Sequence, residues 1–585
     1  MKNIIGIDLG TTNSEVALIK DGQPLVLNIN GEPFMPSCVG LDDQGELLVG
    51  RAAKNQMALR PESTILSIKR LMGEETTVLM GGREFSAEEI SALILRELKK
   101  TAEDFLNQEI EEVVITVPAY FDDHQRKATK NAGELAGLTV KRIINEPTAA
   151  ALAYDVNQKN DQTILVYDLG GGTFDVSLVV IESGIVEVKA SHGDTHLGGD
   201  DFDELLINHV ADNFQSRYDI DLRANKRQKN RLWQAVEKAK IELSNQPFTT
   251  ISEEFITDEQ HLEIEIERHD YETMIQPLLN KTIDCINACL RDAALLPGAL
   301  DQILLVGGSS RTPLIRTLLE ETFNTPVHHE INPDLVVAMG AAIQGGIIGG
   351  LKSDAILVDI TPYTFGTSAV GEYQGMPQRG KFVPIIKRNT PLPTKKSEVF
   401  YTMHDNQEEI EVKIFQGEDP LAENNIMVGN FMVDNLSRKP NGNPILLDLK
   451  LDLNGILEVT ATEKISGLSK TVHMEAGNIS QKFDFSSSRE KLANIVNDQD
   501  YALPDKSEDL LPADDPETNL HKKSITRARD LRRRAEKLLS QVDEDDALEI
   551  NDLLENSRKE LSARDWHKLE QTCESLSDLL FYLED

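Results

Sequence analysis

Cysteine is scarce: there are 4 in 585 residues, and no C-x-x-C pair among them. Such a chain cannot be a disulfide-stapled secreted scaffold, and it offers neither a thiolate zinc motif nor a thioredoxin-like redox pair. Basic residues are outnumbered, 60 Lys and Arg against 98 Asp and Glu, for a formal charge of −38. Acids outnumber bases both before and after position 475, so the acidity is spread along the chain and is not a tail. A protein that holds DNA or RNA by neutralising phosphates needs clustered Lys and Arg, which argues against nucleic acid as a partner. No uncharged apolar run approaches the roughly 18 residues of a membrane span. MKNIIGIDLG puts an aspartate and glycines where a signal peptide needs its apolar core to continue. The expectation is a chain of the reducing cytoplasm without membrane contact, with three or four domains at about 100–200 residues each.

Up to about residue 350, short β-branched runs (Val113 to Val117, Thr163 to Tyr167, Ile303 to Val306) alternate with helical stretches such as Arg231 to Ser244, the pattern of an α/β domain. The short apolar run Asp354 to Asp359, DAILVD, then separates it from a region of period two. There Leu447, Leu449, Leu451 and Leu453 alternate with Asp448, Lys450, Asp452 and Asn454. Asn454-Gly455 reads as a primed turn into Leu457, Val459 and Ala461, so an antiparallel β-domain is expected over about 361–475. Helical spacing returns from about 485, as in Leu531, Ala535, Leu538 and Leu539. It is interrupted by a loop or hinge around Pro504, Pro512 and Pro516.

One motif occurs twice. GIDLGTTNSEVAL from Gly6 and VYDLGGGTFDVSL from Val166 align on Asp-Leu-Gly, at positions 8–10 and 168–170. Each places Asp at the end of an apolar strand, follows it with Gly and Thr, and enters a second strand. Glycine lets the backbone N–H groups approach an anion, and the Thr hydroxyls add donors. Two such hairpins facing each other would grip one polyphosphate, with the Asp carboxylates at the mouth as hard oxygen ligands for Mg²⁺ and its waters. The strand Ile303 to Arg311 ends in Gly307-Gly308, allowing close approach to a nucleoside. Arg311 can stack on a base there, and Asp334 can reach the ribose or its surroundings.

Other patterns are weaker. Gly375-x4-Gly380-Lys381 imitates a phosphate-binding P-loop, but Phe382 stands where a Mg²⁺-binding Ser or Thr belongs. His192 and His196 lie four apart in a Gly-rich stretch, where that spacing does not align two imidazoles. Cys285 and Cys289 read as small buried hydrophobes on one helix face, and Asp543 to Asp546 as a solvated loop or helix start.

In order along the chain stand IGIDLGTTNS, VITVPAYFDDHQRKATKNAGELAGL, RIINEPTAAALAY, DLGGGTFDVS, GDTHLGGDDFD, VEKAKIELS, LLVGGSSRTP and NPDLVVAMGAAIQGG. DAILVDITPYTFG, RNTPLPTKKSEVF and DNQEEIEVKIFQGE follow. These segments resemble the DnaK-type heat-shock chaperone family from the N-terminus to about position 475. The resemblance implies a two-lobed actin-like α/β ATPase domain (1–350), an interdomain linker (351–360), an antiparallel β-sandwich substrate-binding domain (361–475) and a C-terminal α-helical lid (476–585). It implies ATP with Mg²⁺, hydrolysis coupled to the binding of extended apolar segments of unfolded clients, and stimulation by a J-domain cochaperone.

Carried over by motif, Asp8 and Asp168 would reach the metal mainly through water, while Lys69, Glu146, Asp168, Thr173 and Asp175 would be catalytic. Gly10, Thr11, Thr12, Gly170, Gly171, Gly172 and Thr173 would hold phosphates. Gly199, Glu237, Lys240, Ser244, Gly307, Gly308, Ser309, Arg311 and Asp334 would complete the nucleotide site. Pro118, Arg126, Leu357 and Asp359 match the family's relay between nucleotide state and peptide binding, and Arg142 a J-domain contact. By position the peptide pocket would be Thr367, Ala369, Val370, Phe400, Met403, Ile410 and Val412. The duplicated hairpins also occur in metabolic kinases and actin-like filament proteins, in which the apolar linker and β-domain have no role.

Some features depart from the family pattern. The residues arching over bound peptide are commonly Met and Ala, and here they are Val370 and Met403, which predicts a different client preference. The stretch from Lys69 to Phe85 is a short subdomain insert, and Asn245 to His269 lacks the longer loop that exchange factors use, implying that none is required. The lid matches poorly after about 480, and the terminal FYLED lacks the motif that recruits tetratricopeptide partners. Together these resemble a short, specialised bacterial paralogue of the HscC kind.

Overall fold

A computed structural model of the chain describes residues 3–155, 161–328, 332–351, 356–373, 376–473, 483–496, scattered positions between 527 and 557, and 566–583. Gly375, Pro504, Pro512, Pro516, Leu538, Leu539 and Asp543 to Asp546 lie outside the described residues. The chain forms two compact units, Met1–Asn497 and Asp498–Asp585.

The larger unit contains two sheets of the same topology. In the first, Thr139–Asn145, Glu112–Val117, Ile4–Asp8, Asn13–Lys20 and Gln23–Val26 lie side by side; the second runs Val327–His328, Gln302–Val306, Gln162–Leu169, Phe174–Glu182, Ile185–Asp194. In both, the strand that carries the Asp-Leu-Gly motif pairs in parallel on one side and forms an antiparallel hairpin on the other. The duplication seen in the loops therefore extends to whole sheets. Their central strands are apolar and buried on both faces, as Gln302–Val306 is throughout, which is what helices on both sides of a parallel core require.

The helices Glu146–Asp155 and Val336–Ile348 fill the space between the sheets: Ala149 to Tyr154, Val337 and Ala341 join Ile4, Val114 and Ile144 of one sheet to Val166, Val179 and Leu304 of the other in a single cluster. Small residues make this approach possible. A Cβ placed on Gly6 would fall 2.2 Å from the Ala342 nitrogen, and one on Gly340 would fall 1.9 Å from the Ala149 carbonyl oxygen. Close backbone contact at Gly6 holds the strand that ends in Asp8. The helices Gly199–Tyr218, Lys226–Leu243 and Arg268–Asp292 cover the outer face of the second sheet, where Phe202, Phe214, Val236 and Ile286 pack on Tyr167 and Phe174.

Further along, two four-stranded antiparallel sheets face each other: Met376–Ile386, Phe365–Tyr373, Ile410–Gln416, Ile426–Val433, and Thr394–Tyr401, Pro444–Leu451, Leu457–Glu463, Ser469–His473. Leu447, Leu449, Leu451, Leu457, Val459 and Ala461 point inward against Ile414, Val428 and Phe431, as the period-two pattern predicts. The turn differs from expectation. Strand pairing ends at Leu451 with Leu457, so Leu453 sits in the loop between them, 47% exposed, and within that loop only Gly455 has positive φ. The Asp452 carboxylate accepts from the Asn454 and Ile456 amides at 2.8 and 2.9 Å, and this Asx arrangement replaces a two-residue primed turn.

The apolar linker Ile356–Val358 adds a sixth, parallel strand to the second sheet, pairing Ile356 with Ile185, Leu357 with Val186 and Val358 with Glu187. In the smaller unit, Leu569, Cys573, Leu576 and Leu580 of helix Trp566–Leu583 pack with Ala528, Leu531, Ala535, Ile550 and Leu554 at helical spacing. Among the described residues no helix is long and apolar enough to cross a membrane.

Gly6→Ala is expected to destabilise the larger unit by about 1–3 kcal/mol through overpacking against the Ala342 backbone. Calorimetry would read this as a lowered melting temperature; an unchanged melt would contradict the packing argument.

Candidate functional site

The two duplicated hairpins converge. Asp8 opposes Glu15 across the first and Asp168 opposes Asp175 across the second. Their loops touch: a Cβ on Gly171 would lie 1.8 Å from the Thr12 hydroxyl, and one on Gly172 would lie 2.7 Å from the Thr11 methyl. Side chains larger than hydrogen have no room there. The second loop is fastened to the start of helix Gly199–Tyr218, where the Gly199 and Asp200 amides donate to the carbonyls of Gly170 and Gly171 at 3.0 and 2.7 Å. The Thr12 hydroxyl is buried without a hydrogen-bond partner. An unsatisfied donor in a glycine-lined cleft is what a phosphate oxygen would complete, so these residues fit a polyphosphate.

Below the loops lies a cluster of buried carboxylates. Asp8 accepts from the Thr116 hydroxyl at 2.7 Å, Asp175 accepts from the Tyr120 amide at 3.0 Å, and Glu146 receives the Lys69 ammonium at 2.5 Å. Lys69 is 4% exposed and its ammonium sits 5.7 Å from the centre of the Phe121 ring. Burial raises Glu146 to about 8, and Asp8 and Asp175 add to the rise against the pull of Lys69. Burial raises Asp175 to about 7. Asp168 is pushed well up by burial and then by Glu146, Asp175 and Asp8. Burial also opposes the Lys69 charge, but Glu146, Asp8 and Asp168 outweigh it and keep it an ammonium. Acids thus outnumber cations, since Glu15, beside Asp8, joins the four while Lys69 and, at Asp175, Arg126 oppose them, a deficit of positive charge that a divalent cation would relieve. Among the described residues no three acidic, histidine or cysteine groups converge closely enough to hold a metal ion.

On the far side of the cleft, Lys240 donates to the Asp203 carboxylate at 2.8 Å and to the Gly199 carbonyl at 3.1 Å. A Cβ on Gly199 would lie 2.4 Å from the Ser309 hydroxyl, so Gly199, Lys240 and Ser309 meet. Ser244, one turn on from Lys240, donates to its carbonyl at 3.5 Å. Glu237 faces the opposite lobe, where Lys54 donates to both its oxygens at 2.9 and 2.8 Å. Gly307 turns the chain with φ 79° after strand Gln302–Val306. Arg311 then binds Asp334 at 2.6 Å and Asn332 at 2.7 Å, with Gly308 beside Asp334.

A second network joins the nucleotide lobes to the β-sandwich. Pro118 ends strand Glu112–Val117, and in the segment after it Arg126 donates to the Ala119 and Phe121 carbonyls and to Asn145 Oδ1, at 3.0, 3.1 and 2.7 Å. The Asn145 amide in turn donates to both oxygens of Asp359 at 2.9 and 3.0 Å. Burial depresses Arg126, which Asp359 partly counters; burial depresses Arg142 as well, countered by Asp359 and Asp452. The sandwich adds direct contacts: Asn454 Oδ1 accepts from the Ile143 amide at 3.0 Å, and Tyr363 donates to the Tyr120 carbonyl at 2.8 Å.

The chain matches the Hsp70 protein family over residues 4–78 and 75–583. It is 44% identical over 483 residues to the chaperone protein DnaK of Halobacterium salinarum, in two strains, covering 81% of this chain and 75% of the relative. The chain belongs to the Hsp70 family. It is an ATP-binding, DnaK-like chaperone of the heat-shock family and an ATPase.

In this Hsp70 chain the residues expected to line the peptide pocket occupy three depths. Thr367 and Val412 are interior, Thr367 donating to the Lys413 carbonyl at 2.7 Å. Phe400 and Ile410 are half-buried against the sandwich core, and Ala369 is half-buried beside a bulge. Val370 and Met403 are 47% and 49% exposed. The decoys separate. Phe382 is buried with Phe415 and Ala422, and Cys289 is buried in the core while Cys285 packs partly against it. His192 lies in a strand and not in a loop; its Nε2 contacts Asp292 at 3.0 Å, whereas His196 contacts Thr195.

Sequence reasoning missed Glu15, Lys54, Arg70 and Tyr120. Glu15 had a signal, an acid inside an apolar strand opposite Asp8. Lys54 had none, because its partner is 183 positions away.

In the folded, nucleotide-free chain burial pushes Glu146 up from its ordinary 4.5 to about 8, even against the pull of Lys69. Between those values the folded state binds more protons than the unfolded one, so stability falls as pH rises. Glu146→Gln cannot ionise and is expected to shrink the loss of melting temperature between pH 6 and 8.5, measured without nucleotide. An equal or larger loss would contradict the charge assignment.

Proposed function

We propose that the cleft between the duplicated hairpins hydrolyses ATP and that the β-sandwich binds extended apolar segments of unfolded clients, the two being coupled through Asp359. The domains would be the nucleotide-binding lobes 1–350, the linker 351–360, the sandwich 361–475 and a helical lid 476–585. Gly10 to Thr12 and Gly170 to Thr173 hold the phosphates, and Glu237, Lys240, Ser244, Gly307 to Ser309, Arg311 and Asp334 surround the nucleoside. Asp8 and Asp168 would hold Mg²⁺ through its waters, and the ion would neutralise charge on the β- and γ-phosphates.

Hydrolysis adds a water oxygen to the γ-phosphorus as the bond to the β,γ-bridging oxygen breaks. ADP leaves with the bonding electrons, and the water's proton passes to a carboxylate of the cluster. A carboxyl raised to about 7, as Asp175 is, suits that acceptor role near neutral pH. The Lys69 ammonium stabilises charge on the transferring group, in a reaction that leaves the protein mainly positioning and electrostatics to supply.

Peptide would lie across the sandwich in extended form, held by backbone hydrogen bonds and by a pocket whose exposed rim is Val370 and Met403. A J-domain cochaperone would act at Arg142, beside the same relay, in the cytoplasm and without an obligatory exchange factor.

The observation that carries this reading is the run of bonds from Arg126 through Asn145 to the linker carboxylate Asp359. It joins the loop that follows Pro118, whose Tyr120 amide binds Asp175, to the segment leading into the sandwich. Single-turnover hydrolysis by the intact chain is expected to accelerate with peptide and a J-domain protein together, and Asp359→Asn to lose most of that acceleration. Equal stimulation of the two proteins would refute the coupling.

A further inference from the structure

We infer that Ser67 and Arg70 are positioning residues for Lys69, and that bonds crossing the nucleotide cleft seat its ammonium only when the two lobes are closed. The inference rests on Lys69 acting in hydrolysis and concerns what places it there.

Ser67 precedes the tight 3₁₀ turn Ile68–Leu71 and is held at φ 50°, ψ 30°, the left-handed region, although it is not glycine. Such backbone costs free energy and persists where surrounding contacts enforce it. Two contacts here come from the opposite lobe. The Ser67 hydroxyl donates to Asp200 Oδ2 at 2.8 Å, and the Arg70 guanidinium donates to Asp201 Oδ2 at 2.6 Å.

Both acceptors lie in the first turn of helix Gly199–Tyr218, to which the second phosphate loop is fastened. Asp201 Oδ2 also accepts from the Gly198 amide at 2.7 Å, so the residue that receives Arg70 is itself fixed to the helix start. Arg70 touches the loop directly: a Cβ on Gly172 would fall 3.0 Å from its Nε, a nitrogen buried without a partner.

Lys69 sits between these anchors and points the other way, its ammonium on Glu146 of the helix between the sheets. The turn is thus gripped on one side by the lobe bearing the second phosphate loop, while its central side chain reaches the carboxylate cluster. Separating the lobes must either break both cross-cleft bonds or draw Lys69 away from Glu146. The Arg70–Asp201 pair is partly solvent-exposed, 24% and 22% for the two side chains. It therefore adds little to global stability; its effect is directional.

The test measures ATP dissociation constants and single-turnover hydrolysis at saturating ATP for the full-length chain. Arg70→Gln is expected to slow hydrolysis about tenfold or more while the dissociation constant moves less than about threefold, and Arg70→Lys to recover most of the rate. Arg70→Gln combined with Asp201→Asn should be no slower than the slower single variant, because both remove one interaction. Ser67→Gly keeps the left-handed backbone, removes the CH2OH side chain and with it the hydroxyl bond to Asp200, and should also slow hydrolysis without weakening binding. Parallel losses of rate and affinity, fully additive losses, or unchanged hydrolysis in Arg70→Gln and Ser67→Gly would overturn the inference. Lys69→Ala separates the two levels. Normal hydrolysis there would overturn the role of Lys69 and the positioning together, whereas loss there beside normal hydrolysis in Arg70→Gln would overturn the positioning alone.

Discussion

Asp8, Glu146, Asp168 and Asp175 come from both sheets and from the helix between them, and together with Glu15 they draw on two buried cations, Lys69 and, at Asp175, Arg126. Bringing so many acids out of water costs several kcal/mol for each ionised group, more than the two cations repay. The rise of Glu146 to about 8 and of Asp175 to about 7 is the visible form of that cost. A core chosen for stability alone would replace these groups with apolar ones. The fold instead uses the packing of Ala149 to Tyr154 and Val336 to Ile343 between the sheets to hold the strand ends together against their repulsion. A divalent cation bound in the cleft would offset part of that excess negative charge.

The carboxylate cluster is coupled mechanically to more distant parts because its members are also backbone anchors. Asp175 holds the Tyr120 amide, the Tyr120 carbonyl holds Tyr363 of the sandwich, and Arg126 in the next helix reaches Asn145 and through it Asp359. The linker strand Ile356–Val358 completes the second sheet at its edge, where its backbone groups are paired and Leu357 packs beside the inter-sheet core. Any displacement of either lobe therefore acts on hydrogen-bonded elements that the sandwich shares.

How far this was legible from sequence depended on range. The period-two leucines, the helical spacing of Leu531 and Ala535, and the strand-loop-strand form of both hairpins follow from local pattern, and the structure has them. The turn at Asn454-Gly455 was misread because Asp452, two residues earlier, captures the amides and lengthens the loop. Contacts that cross the cleft were invisible. Lys54 to Glu237, Ser67 to Asp200 and Arg70 to Asp201 join residues far apart in the chain, and only the duplicated sheets bring them face to face. Glu15 was overlooked for a different reason: a single acid in an apolar strand has meaning only once its register partner is known to be Asp8.

Local ion pairs also account for an apparent mismatch between the chain's overall acidity and its chemistry. A protein with a net charge of −38 repels an anionic nucleotide at long range, and salt screens that repulsion within about 10 Å. Positive charge matters only at contact, and it must be held in place because a free lysine or arginine would turn toward the surrounding acids. Lys69, Arg70, Lys240 and Arg311 are each tied to a specific carboxylate: Glu146, Asp201, Asp203 and Asp334. Those acids do not cancel the cations; they aim them. Glu146 and Asp201 lie where elements of the two lobes meet, whereas Asp203 and Asp334 pair with cations of their own lobe. Local pairing of this kind is how a chain of net charge −38 keeps ordered positive charge at the cleft.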